Sequence, residues 1–393
     1  MRIGIFLGGM SEGMGGEFTF QEGLVRALET LETGHEIFVF YFGAKRPVAA
    51  SRKPTYVSLS EDLRMQQLVR RGTNVLLRRT RSMLALAADH YHVELMWFPS
   101  PQFVQLDMPY ICTVLDLEHR VHPFFPEVGN KVSWKAAVER YTDMIPRAAY
   151  VITGTEAGKR QIIDFYRPDP ERVRVIPFPV TPFAVEMGKR APLPESPAGA
   201  RPYLFYSAQF WPHKNHVALL HALKLLRSRQ GLDLELAFCG SDKGNLSHVK
   251  RTARELGLED RVRFLGFVSQ DELYALYKNA FALVYPSLFG PDNLPPLEAF
   301  AIGCPVVAAN VAGAAEQLGD AALLVDPCRE EEIAGAVLRL HQEPQLRETL
   351  IQRGKARAAR WTNHDYLREI VALCDEFKGY RRCWSSDEKH VNL

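Results

Sequence analysis

The sequence predicts an α/β chain of two parallel-sheet domains facing across a cleft. Three observations predict this class. Residues 1–178 alternate short apolar strands with helical patterns, a stretch rich in Pro, Ala and Gly follows at 179–202, and residues 203–362 alternate again. The length of 393 residues exceeds one typical core and suits two.

In the first domain, strands are expected at 3–7, 36–41, 95–98, 110–115 and 150–153, and helices at 17–31, 62–88, 132–148 and 156–165. The first of these helices shows the spacing clearly, with Phe20, Leu24, Ala27 and Leu31 on one face. Residues 179–202 include Ala191-Pro-Leu-Pro-Glu-Ser-Pro-Ala-Gly-Ala-Arg-Pro202 and read as an interdomain linker. The second domain has expected strands at 203–207, 235–239, 263–265, 282–285, 306–308 and 322–324. Its helices are expected at 217–229, 247–256, 270–279, 296–302, 313–318 and 329–342. A last helix at 363–378 is followed by a polar, loose tail at 379–393. Sheets of this kind bind ligands beyond the carboxyl ends of their strands.

Composition narrows the function classes. The chain is 47% hydrophobic and 24% charged, as expected of a soluble globular protein. A net charge of +2 gives no argument for nucleic acid, and no nucleic-acid partner is expected. No run approaches the ~20 apolar residues of a membrane span. Residues 1–9 read as a first strand rather than a signal peptide. Six scattered cysteines with no C-x-x-C pair point to reduced thiols in a cytosolic protein and away from structural zinc.

The most informative stretch is Phe289-Gly-Pro-Asp-Asn-Leu-Pro-Pro-Leu-Glu298, followed by Ala-Phe-Ala-Ile-Gly-Cys-Pro-Val-Val-Ala-Ala. A turn precedes a helix that opens with Pro and Glu, and a short apolar strand follows. Backbone N–H groups at a helix start attract phosphate or ribose oxygens. A carboxylate in the first turn, Glu298, faces the positive end of the helix dipole and can accept from a diol. By itself the pattern also suits a plain capped helix.

Other loops follow strand ends. Tyr206-Ser-Ala-Gln-Phe-Trp-Pro-His-Lys-Asn-His216 places Lys214 at a helix start, where a cation and free N–H groups can hold a diphosphate; the bland reading is a solvated lysine. Phe238-Cys-Gly-Ser-Asp242 places Gly240 where it can line a nucleotide pocket. Gly8-Gly-Met-Ser-Glu-Gly-Met-Gly-Gly16 lets backbone approach a ligand closely. It lacks the spacing and the later acidic residue of a dinucleotide fingerprint. Thr113-Val-Leu-Asp-Leu-Glu-His-Arg-Val-His-Pro-Phe-Phe-Pro-Glu127 is the densest polar cluster, with Asp116 and His119 as candidate catalytic groups. His119 and His122 lack a third metal ligand nearby, and no Asp-x-Asp pair ends a strand, so no metal is expected. Arginines at 64, 71 and 78 give helix 62–88 a basic face that suits anionic lipid or plain solvent.

The stretches at 289–309 and 206–216 resemble those of the retaining GT-B glycosyltransferases of family 4, and the resemblance covers most of the chain. It implies two Rossmann-like domains with the last helix crossing back to the first. It implies that Lys214 clamps the leaving phosphates and that Glu298 meets the ribose. Phe267 and Val268 would read the base, and Gly15 and Gly16 would approach the donor phosphates. Asp292, Asn293 and Leu294 would contact the sugar and phosphate. Two positions depart from the family pattern: Gln209 stands where an Arg is usual, and Gly290 where the first of two glutamates is usual. Leu115 replaces a cleft His, and Glu316 resembles a later family Glu or a surface charge.

The implied reaction moves a hexose from a nucleotide-sugar to a glycan or lipid-linked glycan acceptor, without a metal or other cofactor. A GDP-mannose-like donor is preferred over a UDP-sugar because the Asn-Leu-Pro-Pro-Leu-Glu variant resembles that of polysaccharide mannosyltransferases. The expected location is cytoplasmic, with peripheral membrane contact through helix 62–88. Gly290 and Gln209 also motivate a second reading, a non-catalytic relative that binds nucleotide-sugar or glycan. A third, an oxidoreductase using the first glycine-rich loop, rests on that loop alone.

Overall fold

The computed structural model describes residues 1–9, 16–43, 54–60, 83–190, 195, 197–199 and 201–384. The first domain is built on strands β1 (Arg2–Gly9), β2 (Glu36–Phe42), β3 (Thr55–Ser58), β4 (Leu95–Phe98), β5 (Tyr110–Thr113), β6 (Tyr150–Thr153) and β7 (Val173–Val175). They form a parallel sheet of order β3-β2-β1-β4-β5-β6-β7. Side chains alternate between its faces. Ile3, Ile5 and Leu7 pack with Phe20 and Leu24 of helix Gly16–Leu28 on one side. Phe6, Phe40 and Phe98 pack with Leu84 and Met144 on the other.

A parallel sheet must be covered on both faces. The first face is completed by the last helix, Asn363–Arg381, which brings Tyr366, Ile370 and Phe377 against Phe20 and Trp97. That helix starts in a capping box, with Thr362 accepting from Asp365 N–H and Asp365 accepting from Thr362 N–H. The crossing is pinned by two hydrogen bonds. Trp361 Nε1 donates to the Pro177 carbonyl at 2.6 Å, and Asn363 Nδ2 donates to that of Val180 at 3.0 Å.

The second domain has strands β8 (Tyr203–Ser207), β9 (Glu235–Cys239), β10 (Val262–Gly266), β11 (Ala282–Tyr285), β12 (Val306–Ala309) and β13 (Ala322–Val325), in the parallel order β10-β9-β8-β11-β12-β13. Both sheets reverse strand order beside their first strand. The crevices at β1/β4 and β8/β11 are therefore where loops can part around a ligand.

Four features differ from the sequence expectation. Strands β3 and β7 are short and partly polar, so no apolar run announces them. Helix Pro344–Ala358 has few buried residues, among them Leu350 and Ala358, too weak a stripe to read. Residues 179–202 are not a bare linker: helix Pro182–Met187 sinks Phe183 and Met187 into the second domain's core. Of the basic segment 62–88, residues 62–82 lie outside the described residues; its end is helix Met83–His90, which buries Leu84, Ala87 and Ala88.

Gly240 ends β9 at φ +144°, and a Cβ there would strike the Ala208 carbonyl oxygen. Gly240→Ala is therefore expected to lower stability by roughly 2–4 kcal/mol, because both the backbone region and the space are refused. Urea unfolding of wild type and variant checks this; a loss under about 0.5 kcal/mol would mean the strand end relaxes freely.

Candidate active site

Loop 209–214 starts where β8 ends, and the turn Pro212–Lys214 leads through Asn215 in the left-handed region into helix His216–Gln230. This delivers Lys214 to the crevice beside β11. Its Nζ donates to Tyr285 Oη at 3.2 Å and to Ser287 Oγ at 3.4 Å, and it lies 5.5 Å from the centre of the Tyr285 ring. Both acceptors are neutral, and among the described residues no carboxylate lies within ion-pair distance of Nζ. The ammonium is thus held in place without being neutralised.

The same network shapes the 289–298 stretch. Tyr285 Oη donates to Asn293 Oδ1 at 3.2 Å, and Asn293 Nδ2 donates to the Gly290 carbonyl at 2.7 Å. Ser287 Oγ donates to the Phe289 carbonyl at 2.7 Å. Gly290 sits at φ +128°, and a Cβ on it would lie 2.6 Å from Asn293 Oδ1. The glutamate that the family pattern expects here has neither the backbone conformation nor the room; the Asn293 amide occupies that space.

Helix Leu294–Ile302 follows with Pro295 and Pro296, which carry no N–H. Asn293 N–H is already donated to Gln317 Oε1 at 3.0 Å. The expectation of backbone donors at both Asn293 and Leu294 therefore narrows to Leu294, because the Asn293 N–H is taken. Gly16, across the cleft, faces the Leu294 side chain; Gly15 lies outside the described residues.

Glu298 takes a different place from the open ribose contact that the resemblance implies. It is buried, with Oε1 accepting from Thr181 Oγ1 at 3.1 Å and Oε2 accepting from Tyr277 Oη at 3.0 Å. Burial raises its pKa, and the two hydroxyl donors partly offset that. Gln209 Oε1 accepts from Trp211 Nε1 at 2.9 Å, so the side chain in the Arg position holds the loop. Lys243 lies over that Trp211 ring at 5.6 Å. Phe267 is 70% exposed at the end of β10 with Val268 half-buried behind it, which leaves an aromatic face open. Gly240 is a close backbone approach to Ala208.

From the first domain, Asp116 is accessible in the cleft but surrounded by protein. Its Oδ1 accepts from Glu118 N–H at 3.1 Å. Desolvation raises its pKa, while the Glu118 N–H and Lys214 pull it down. His119 is corrected. It is not a cleft base but a core residue, stacked on Tyr141 with centroids 5.0 Å apart and hydrogen-bonded to Tyr166 Oη at 2.9 Å. Helix Glu118–Val121 turns it inward, and burial pushes its pKa down to about 4.

The sequence reading missed the side chains that bridge the cleft. Glu127 Oε1 lies 2.6 Å from His213 Nδ1 and accepts from His213 N–H at 3.1 Å. Glu316, read as a surface charge, instead accepts from Glu156 N–H at 2.6 Å and Ala157 N–H at 3.1 Å, capping helix Glu156–Tyr166 from the opposite domain. Asp292, assigned to the donor, points at the first domain and accepts from the Gly154 backbone; burial and Glu316 push its pKa up to about 8. The spacing of residues within each loop gives no signal of these partners.

Asp292 and Glu118, both raised to about 8, bind a proton more tightly folded than unfolded, so stability falls as pH rises from about 4 to 8. His119 and His213, lowered to about 4 and about 3, oppose this only below 6.5. Between pH 6.5 and 8 the carboxyl effect stands alone. Urea midpoints are expected to drop across that range, and Asp292→Asn is expected to flatten the drop; an unchanged slope would remove Asp292 as a contributor.

Residues 194–357 match the family Glycosyl transferases group 1. The chain is 34% identical over 188 residues to O-antigen chain mannosyltransferase B of Escherichia coli, covering 44% of this chain and 48% of that protein. It is 30% identical over 228 residues to O-antigen chain mannosyltransferase RfbU of Salmonella typhimurium, covering 58% and 60%. The aligned part thus spans about half the length of these curated relatives. In three dimensions it resembles HepE from Anabaena in complex with UDP and glucose, with a TM-score of 0.70, 17% identity and coverage of 96% and 100%. WaaG, a glycosyltransferase involved in lipopolysaccharide biosynthesis, gives 0.67, 15%, 94% and 99%. Residues 194–357 thus resemble the family Glycosyl transferases group 1, and the chain as a whole has the two-domain GT-B fold.

Proposed function

We propose that the chain transfers a hexose from a nucleotide-sugar to a hydroxyl of a glycan or lipid-linked glycan. The observation that carries this reading is the Lys214 ammonium, fixed by Tyr285 and Ser287 at the β8/β11 crevice and left without a counter-ion in the described residues. A leaving diphosphate supplies that missing negative charge. A preorganised cation in a partly desolvated cleft stabilises charge that develops as the glycosidic bond breaks. Leu294 N–H adds a donor at the helix start, and Gly16 lets the first domain's backbone come close.

Asp116 faces the same cleft from the first domain, near enough for Lys214 to lower its pKa. In this reading it accepts from the acceptor hydroxyl and orients it. Phe267 stacks on the base. Glu298, buried with one hydroxyl donor on each oxygen, braces the start of the donor-side helix in place of the ribose contact. The diphosphate needs no metal in this scheme. The O-antigen mannosyltransferases among the relatives favour a GDP-mannose-like donor, whereas HepE is described with UDP. No helix among the described residues is long and apolar enough to cross a membrane; in this reading the protein is cytoplasmic and meets a lipid-linked acceptor peripherally.

A second reading, a relative that binds the nucleotide-sugar without turnover, is favoured by one observation: Gly290 and Asn293 close off the place of the family's first glutamate.

Nucleotide release from GDP-, UDP-, ADP- and dTDP-sugars discriminates the two. One donor, GDP-mannose first, is expected to be hydrolysed slowly. Lys214→Ala is expected to lower kcat by about 10²–10³-fold. Asp116→Asn is expected to lower transfer to added acceptor more than it lowers donor hydrolysis. Tight binding of one donor without release or transfer would establish the non-catalytic reading, and binding of none would end both.

A further inference from the structure

We propose that Glu118, Glu127 and His213 form a divalent metal site that bridges the two domains. Glu118 opens the short helix Glu118–Val121 and Glu127 lies in Pro126–Gly129, both in the first domain. His213 belongs to the turn Pro212–Lys214 of the second. His213 Nδ1 lies 2.6 Å from Glu127 Oε1 and 3.2 Å from Glu118 Oε1, and one ligand atom from each residue falls within 4.8 Å of the others. Ligand atoms around a tetrahedral ion bound at about 2.0–2.2 Å stand about 3.3–3.6 Å apart. The cluster needs only a small outward shift, with loss of the Nδ1 proton, to take a cation.

The surroundings point to a ligand rather than to a chance meeting of charges. Glu118 is 8% and His213 9% exposed. Glu118 Oε1 and Glu127 Oε2 are buried with no hydrogen-bond donor in the structure. A buried carboxylate oxygen left so is costly, and a cation between the three side chains would satisfy it. Glu127 is already oriented, because its Oε1 accepts from the His213 backbone N–H. Phe125 stands edge-on to the His213 ring at 6.1 Å and shields the cluster. One imidazole and two carboxylates suit zinc or manganese, with a fourth position left for water. Two negative charges and a doubly charged ion cancel. The ion would tie the first domain to the residue next to Lys214, so it acts on domain closure and on the placement of the 209–214 loop rather than on the diphosphate.

This site does not depend on the proposed transfer reaction, and its test reads metal binding alone. The full chain, stripped with chelator, is titrated calorimetrically with zinc chloride and separately with manganese chloride. The expected result is one site per chain for at least one metal, weakened at least tenfold both in Glu127→Gln, from one domain, and in His213→Ala, from the other. Circular dichroism verifies folding, and Glu118→Gln and His213→Gln replace any variant that does not fold. Absence of binding at millimolar metal overturns the proposal. So does binding that survives the loss of either domain's ligand, which would assign the heat to other groups such as the exposed Cys328 and Cys383.

Discussion

Two parallel sheets in one chain impose a covering problem, and the structure follows from how it is met. Each sheet needs helices on both faces. Among the described residues, one face of the first sheet is covered by helix Gly16–Leu28 and completed by the helix Asn363–Arg381 with Tyr366, Ile370 and Phe377. The chain must therefore pass between the domains twice, once at 177–187 and once at 361–363. Trp361 and Asn363 bind the second crossing to the first through the carbonyls of Pro177 and Val180. Thr181, on the outward crossing, reaches the buried Glu298 at the start of the donor-side helix. The hinge is thus coupled to the candidate site through one carboxylate.

Closure brings many acidic groups together: Asp116 and Glu127 from one domain, Asp292 and Glu316 from the other. Like charges in a partly dry cleft repel, and an anionic ligand would be unwelcome there. The structure answers by giving several of them backbone donors. Glu316 takes two N–H groups at the start of helix Glu156–Tyr166, Asp292 takes Gly154, and Asp116 takes Glu118 N–H. Helix and loop dipoles absorb negative charge that side-chain cations would otherwise have to balance. Lys214 favours the ionised forms of Asp116 and Glu118 but forms no ion pair among the described residues, and its charge remains available.

The departure from the family pattern at Gly290 also has a local physical account. The loop is braced from inside by Asn293, whose amide spans Tyr285 Oη and the Gly290 carbonyl. Through Tyr285 that brace continues to Lys214. A larger residue at 290 would displace Asn293 and with it the cation's support. Glycine at this position is part of a different solution for the loop, in which an amide holds the turn that precedes the helix.

Much of the fold was legible in the sequence because strand and helix signals are local. Apolar runs marked eleven of the thirteen described strands and missed the short β3 and β7, and the helix at 344–358 stayed hidden because little of it is buried. The loops of the candidate site were equally legible, since Lys214, Asn293, Leu294 and Glu298 are set by strand ends and helix starts. Their partners were not. Glu316 meets the helix start at Glu156 across 160 residues, Glu298 meets Thr181 across 117, and Glu127 meets His213 across 86. His119, attractive on its residue type, was turned into the core by a single helical turn. By itself the sequence determined which elements form and which loops stand at the strand ends, because those depend on periodicity and backbone chemistry within a few residues. Only the tertiary structure decided which charges are spent and which stay free, because that depends on how the two domains are laid against each other.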